Sequence, residues 1–341
     1  MKKILLYIFA FIIVILTVAV GIDCYHLTVK NFQSKDGEAH LIYVYPETTI
    51  DSLISTVQIY YDVQSRLSLK LHCRLMHFNS PKTGCYRLEN IVSDKKFISM
   101  FRNGEQTPVK LTIHRIRTRE QLAGKLSEAL LLDSTSIISR LEDNQYMQQF
   151  GLKKETAVCL FIPDTYEVYW TITPDALFKK MQQAYQHYWN SSRLNQAKKI
   201  GFTPTEVATI ASIAESETNK DFEYPIIAGL YINRLHKGMP LQACPTVIFA
   251  WQDFSMRRVL KRHLEIDSPY NTYKYKGLPP GPIRIPRAST MDAVLNYTPS
   301  NYLFMCASAD FNGTHHFSAT YQQHAQYAKQ YQQELNKRHI Q

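Results

Sequence analysis

Between Ile4 and Ile22 the chain carries no charged side chain, and nothing else in the sequence limits its fold as strongly. Coiled as an α-helix, such a run spans roughly 28 Å, close to the hydrocarbon thickness of a bilayer. A cleaved secretion signal would have a shorter apolar core and a small-x-small cleavage site. Here Val18, Val20 and Ile22 prolong the run and Asp23 follows directly. Asp23 also stands before Cys24, where a lipid-attachment site wants a small residue. Lys2 and Lys3 precede the run, so the N-terminus is expected to stay cytoplasmic. Residues 1–23 are read as an uncleaved, single-pass anchor in the cell (inner) membrane, with the rest of the chain extracytoplasmic.

That remainder needs a water-soluble core. Of 341 residues, 45% are hydrophobic and 12% aromatic, while Gly at 12 and Pro at 15 are too few for a fibrous or disordered chain. The formal net charge of +10 favours polyanions, which include nucleic acid, anionic lipid and a carboxylate-rich wall polymer. Scattered solvated basic residues are the plainer alternative. No zinc-finger spacing and no basic heptad region occurs, so nucleic acid is not an expected partner. The six cysteines, Cys24, Cys73, Cys85, Cys159, Cys244 and Cys306, form no CxxC pair, which removes zinc-ribbon and thioredoxin-like sites. Cys73 and Cys85 flank Pro81 and Gly84 and are the nearby pair. Free buried thiols are the other reading of them.

Hydrophobic periodicity predicts a mixed α+β chain. A strand is expected over residues 39–45, a helix over 50–60 and another over 94–101 stopped by Asn103-Gly104. Val109, Leu111 and Ile113 alternate as a strand. Thr118-x-x-Gln121 reads as a capping box for a helix carrying Leu122, Leu126 and Leu130. Residues 36–115 thus form a small α/β module, and 116–200 a helical link, including a polar helix-like stretch over 175–200. The region 201–341 opens with the clearest helix: Thr203 as N-cap, Pro204 at the first position and Glu206 closing a T-x-x-E box. Val207, Ile210, Ala211 and Ala214 make its buried stripe. The chain is expected to end in a Gln-rich helix over 321–338 whose last residues fray.

Glu215 and Glu217 fall at the end of the Pro204 helix, about 200° apart around its axis, so they face nearly opposite sides. Glu215 lies at the edge of the apolar stripe, seven residues after Ala208 and four after Ala211, whose small side chains leave space for a ligand. Partial burial and the negative helix end both raise the proton affinity of a carboxylate there, which suits a general acid. A solvated glutamate in a last helical turn is the ordinary alternative. There is no HExxH, Walker A, GxGxxG or GxSxG motif, and His315-His316 lacks companion ligands, so neither a metal nor an organic cofactor is implied. Tyr270-Asn271-Thr272-Tyr273 offers aromatic, amide and hydroxyl groups suited to sugars. Gly277-Leu278-Pro279-Pro280-Gly281-Pro282 reads as a rigid loop.

In this order, these segments resemble the MltG/YceG-like endolytic murein transglycosylases. The resemblance runs through Phe161-Ile162-Pro163-Asp164-Thr165-Tyr166, Ala211-Ser212-Ile213-Ala214-Glu215-Ser216-Glu217-Thr218 and Asn233-Arg234-Leu235. It continues with Gly238-Met239-Pro240-Leu241-Gln242, Pro245-Thr246-Val247-Ile248, the Tyr270–Tyr273 and Gly277–Ile283 runs, and His316-Phe317-Ser318. It implies an N-terminal anchor, a LysM-like module over residues 36–115 and a catalytic region over 201–341. By the same resemblance Glu215 is the acid/base of a lytic transglycosylase that cuts the MurNAc-GlcNAc bond of peptidoglycan glycan strands and leaves 1,6-anhydro-MurNAc ends. Strand termination near the membrane and peptidoglycan synthases as partners follow from it too. Asn233, Arg234, Gln242, Tyr270, Asn271, Thr272 and Tyr273 are the candidates for holding sugars or peptide carboxylates, with bracing of the cleft as the equal alternative for each. Cys244 stands where the family usually has an acidic residue near the expected cleft. The open alternatives are a hydrolytic muramidase, with a water and a second acid such as Glu217, and a non-catalytic wall-binding scaffold.

Overall fold

Helix α1 (Lys2–Thr28) contains the apolar run with its side chains exposed, and an 18-residue window in it reaches a mean hydropathy of 3.0. It is long and apolar enough to cross a membrane. In this computed structural model, which describes residues 2–256 and 258–338, α1 continues past the expected end at residue 23. The reason lies in its last turns. Asp23 accepts the Ser68 hydroxyl at 2.7 Å and lies 3.2 Å from His72 Nε2. His72 Nδ1 in turn sits 2.7 Å from the buried Asp94, which also accepts Asn31 Nδ2 at 2.7 Å. Buried polar groups must be paired, and this chain of contacts ties the end of α1 to the residues that follow.

The chain divides into two compact units, Met1–Leu111 with Glu167–Ile172, and Thr112–Tyr166 with Thr173–Gln341. In the first, β1 (Phe32–Ser34) runs antiparallel between β3 (Tyr61–Val63) and β5 (Ile91–Val92), and β2 (His40–Val44) pairs with β4 (Gly84–Leu88). Helices α2 (Ile50–Tyr60), α3 (Arg66–Leu75) and α4 (Asp94–Asn103) supply the rest. Their apolar stripes meet the strands in one core, with Phe32 stacked on Phe97 at 4.4 Å. Thr49, Ser65 and Ser93 cap the three helices, and α4 stops at Gly104, whose φ of 77° suits glycine. Cys73 and Cys85 are buried free thiols, so no disulfide joins them.

The larger unit is mostly helical. After β6 (Val109–Thr112) come α5 (Arg119–Ala129), α6 (Ser134–Glu142), α7 (Asn144–Gln148) and β7 (Thr165–Val168). Thr118 caps α5 by accepting the Gln121 N–H, but the Gln121 side chain accepts the N–H of Arg117, so the expected capping box is not closed. The stretch expected as one link over 175–200 is two helices, α8 (Pro174–Tyr188) and α9 (Ser191–Ile200). Asn190 interrupts them because its side chain caps α9 instead of continuing α8. Then follow α10 (Pro204–Glu217), α11 (Tyr224–His236), α12 (Cys244–Trp251), α13 (Ala288–Leu295), the antiparallel pair β8 (Phe304–Ala307) and β9 (His315–Ser318), and α14 (Tyr321–Lys337). The terminal helix α14 ends at Lys337 with Arg338 as its cap, one residue before the expected end.

Helix α10 begins as the sequence predicts, with the Thr203–Glu206 capping box closed in both directions. Its buried surface is wider than a stripe: every residue from Val207 to Glu215 is buried, because α9, α11, α12 and α13 pack around it. Ala208 and Ala211 therefore open no space for a ligand. They are 2% and 0% exposed, and their small side chains let neighbouring helices approach closely.

Candidate active site

Glu215 ends the buried part of α10 and is 7% exposed. Its position depends on a segment about seventy residues later (residues 281–290). Ser212, one turn earlier on α10, accepts the Ile283 N–H at 3.0 Å and fixes the end of the Gly277–Ile283 loop. Gly281 makes this possible, since a Cβ there would collide with the Glu155 carbonyl group. The next residue, Arg284, reaches Glu215 Oε1 with a guanidinium nitrogen at 3.1 Å. The chain then enters α13, where the Arg287 N–H and the Thr290 hydroxyl donate to Glu215 Oε2 at 2.7 and 2.9 Å. Glu215 thus stands at the negative end of α10 and also at the positive end of α13, a favourable place for a carboxylate. The second charge environment was invisible to the reading of α10 alone.

Arg287 also joins Glu215 to Asp221: its Nε is 3.7 Å from Glu215 Oε2, and a guanidinium nitrogen donates to Asp221 Oδ1 at 3.0 Å. Burial, and then the like charges of Arg117 and Arg287, pull the Arg284 guanidinium below its ordinary range, against the stabilising charge of Glu215. Glu215, Asn219 and Arg284 line a cleft of about 350 Å³ together with His114, Arg115 and Tyr224. They also line a smaller hollow of about 170 Å³ with Arg117 and Phe249. Arg117 and Phe249 in turn border a third space of about 600 Å³ that includes Tyr270, Lys154 and Pro280. Through these shared wall residues the three spaces adjoin as one groove region, and Glu215 lines its two smaller parts.

The opposite side of α10 is chemically different. Glu217 accepts the Tyr231 hydroxyl at 2.6 Å, and burial raises its pKa against the effect of that bond. It borders a separate cavity of about 370 Å³ with Arg234, Gln242, Cys244, Tyr273 and His324.

The YceG-like family profile matches residues 42–330. The chain belongs to that family. An endolytic murein transglycosylase of Streptococcus pneumoniae (strain D39) is 27% identical over 277 residues, which are 72% of this chain and 50% of that protein. Another endolytic murein transglycosylase, of Bacillus subtilis strain 168, is 31% identical over 230 residues, 62% of each chain. The chain therefore matches about half the length of the Streptococcus relative. A crystal structure of a yceG-like protein, lmo1499, from Listeria monocytogenes shares the fold with a TM-score of 0.58. The two are 24% identical, and the match covers 85% of this chain and 98% of that one.

In this YceG-like chain the residues singled out for substrate binding do not gather around Glu215. Asn233 donates to the carbonyls of Ser300 and Tyr302. Arg234, buried, donates to the carbonyls of Leu303, Pro240 and Leu241. Asn271 and Thr272 are also buried and hold the backbone around Leu264, Ile266 and Ala243. These four brace loops. Gln242 and Tyr273 face the Glu217 cavity, and Tyr270, packed on Phe249 at 4.7 Å, alone reaches the groove through Glu215. Cys244 likewise lies on the Glu217 side, with Sγ 3.1 Å from the Tyr273 hydroxyl, rather than in the Glu215 cleft. Sequence reasoning missed Arg117, Arg284, Arg287 and Thr290. The only signal for them was the Gly277–Ile283 loop, which was read as rigid but without a destination.

Proposed function

We propose that this chain is a membrane-anchored endolytic lytic transglycosylase of peptidoglycan, with Glu215 as its acid/base. The observation that carries the reading is that Glu215 lines two of the three adjoining spaces of this groove region, along which a polymer can lie. Oε2 is occupied by the Arg287 N–H and the Thr290 hydroxyl, whereas among the described residues Oε1 meets only Arg284. Oε1 is therefore the oxygen that serves the substrate. Protonated, it donates to the oxygen linking MurNAc to GlcNAc, the C1–O bond breaks and an oxocarbenium-like centre develops at C1. The carboxylate then removes the proton of the muramic acid C6 hydroxyl, and O6 closes onto C1 as a 1,6-anhydro ring. The internal hydroxyl replaces both a positioned water and a second nucleophilic carboxylate.

In this reading α1 anchors the enzyme with its N-terminus cytoplasmic, and the remainder acts on strands near the membrane, terminating their growth alongside peptidoglycan synthases. The small mixed unit takes the role of a LysM-like wall-contacting module. A hydrolytic alternative has one observation in its favour: Asp221 lines the same cleft and is bridged to Glu215 by Arg287, so it is a candidate base for a water. Glu217 is not, since it borders the other cavity.

Mass spectrometry of fragments released from purified peptidoglycan separates these. Anhydro ends, lighter by one water than hydrolysed ends, are expected. Reducing ends that vanish on Asp221→Asn would establish the hydrolase. No cleavage by folded protein that still binds the polymer would leave a scaffold.

A further inference from the structure

The groove around Glu215 holds more positive charge than its own carboxylates balance. Arg115, Arg117, Arg284 and Arg287 line its two parts beside Glu215, against Glu215 and Asp221, and the larger part adds Arg119 and Lys154 against Glu120 and Glu155. Arg287 spans both acids and Arg284 pairs with Glu215. Arg117 has no carboxylate within 4.0 Å among the described residues; its guanidinium lies over the Phe254 ring at 4.9 Å. Like charges are not brought together in a partly buried cleft without cost. A second observation points the same way. The Nε of Arg284 is enclosed and has no hydrogen-bond partner among the described residues, although arginine donors in such places are normally satisfied. Arg284 is thus under-satisfied by the protein itself, and Arg117 leaves a positive charge unpaired at the hollow beside Glu215.

We infer that Arg117 and Arg284, flanked by Arg287, form a subsite for a carboxylate carried by the substrate. The inference rests on the reading that this groove holds peptidoglycan. The sugars of the backbone offer hydroxyls and amides, and the lactyl group of a peptide-bearing MurNAc is tied up as an amide. The free carboxylates of such a strand belong to its stem peptide. A guanidinium meets a carboxylate through charge-assisted bonds, and Arg117 and Arg284 bring two such groups to the same hollow. The subsite therefore selects peptide-bearing strands whose carboxylates are free over strands whose carboxylates are amidated, and draws the peptide toward the Arg284 side of the scissile bond.

The test is equilibrium binding to the full chain in detergent, because binding does not depend on which bond the enzyme cuts. The ligand is a disaccharide bearing a stem peptide, which contains no internal MurNAc–GlcNAc bond to cleave. It is compared with the same molecule after its carboxylates are amidated. The free acid should bind about tenfold more tightly than the amide, as expected for a charge-assisted contact. Arg117→Gln, a change at an exposed side chain, should reduce that preference below about threefold with the melting temperature unchanged. Arg284→Gln should reduce it further. Equal affinities in the unaltered protein, a preference insensitive to both substitutions, or no binding of the free acid at millimolar concentration would overturn the subsite. The anhydro-end assay on peptide-free strands separately tests the lyase reading.

Discussion

Glu215 and Glu217 stand two residues apart on one helix, and almost nothing else about them is alike. Glu215 is clamped between the end of α10 and the start of α13, with a guanidinium on one oxygen and two donors on the other. Glu217 has the Tyr231 hydroxyl as its close partner and is pushed toward its protonated form by burial. The first lines two adjoining spaces with Arg284 and Asn219, the second a separate cavity with Arg234, Gln242 and Tyr273. The difference teaches that the helix supplies only direction. The chemistry of each acid is set by which distant segment arrives beside it.

The contrast can be broken most directly by removing each carboxylate. Glu215→Gln should lower glycan cleavage by about 10²–10⁴-fold, the range for losing a general acid/base, whereas Glu217→Gln should cost less than tenfold. Comparable losses in a peptidoglycan-release assay would erase the distinction. Next in size is Thr290→Val, which keeps the shape of α13 but takes one donor from Oε2. A hydrogen bond to a charged group is at stake, so kcat should fall about tenfold with KM little changed. Steady-state kinetics on a soluble glycan reads both.

Tyr231→Phe probes the other side. Loss of its hydroxyl should reduce stability by about 1 kcal/mol, measured by urea unfolding, and leave kcat within about twofold. The smallest expected effect is one of pH. Glu217 has a folded-state pKa above its ordinary 4.5 because of burial. The folded protein then holds this proton more firmly than the unfolded chain, so stability should decline as pH rises from about 4.5 through the raised value. Glu217→Gln should flatten that part of the profile, since an amide has no proton to lose. Unchanged pH dependence of the urea midpoint would show that Glu217 is not buried as described.

Much of this could be read from local pattern. The Thr203 capping box, the stop at Gly104 and the 200° separation of the two glutamates all depend on residues within a turn or two of each other, where helical periodicity acts. The site could not be read that way. Arg284, Arg287 and Thr290 reach Glu215 across some seventy residues, through a loop whose docking on Ser212 leaves no periodic trace. Polar residues in short motifs were open to two readings: Asn233, Asn271 and Thr272 could hold sugar or brace the cleft, and their hydrogen bonds are used on backbone of the protein itself. A buried amide bracing two carbonyls and an amide awaiting a sugar have the same sequence. The small unit posed a similar problem, since Asp23, His72, Asp94 and Asn31 come from well-separated places to form one network.

The central claim is that the glycan meets the Glu215 face of α10 and not the Glu217 face. A crystal structure of the chain with a bound peptide-bearing glycan fragment tests it most directly. Sugar rings lying along the groove, with one glycosidic oxygen within hydrogen-bond reach of Glu215 Oε1 and the Tyr270 end of the groove occupied, are the predicted result. Sugar density in the cavity of Arg234, Gln242 and Tyr273 beside Glu217, with the Glu215 groove empty, would contradict it.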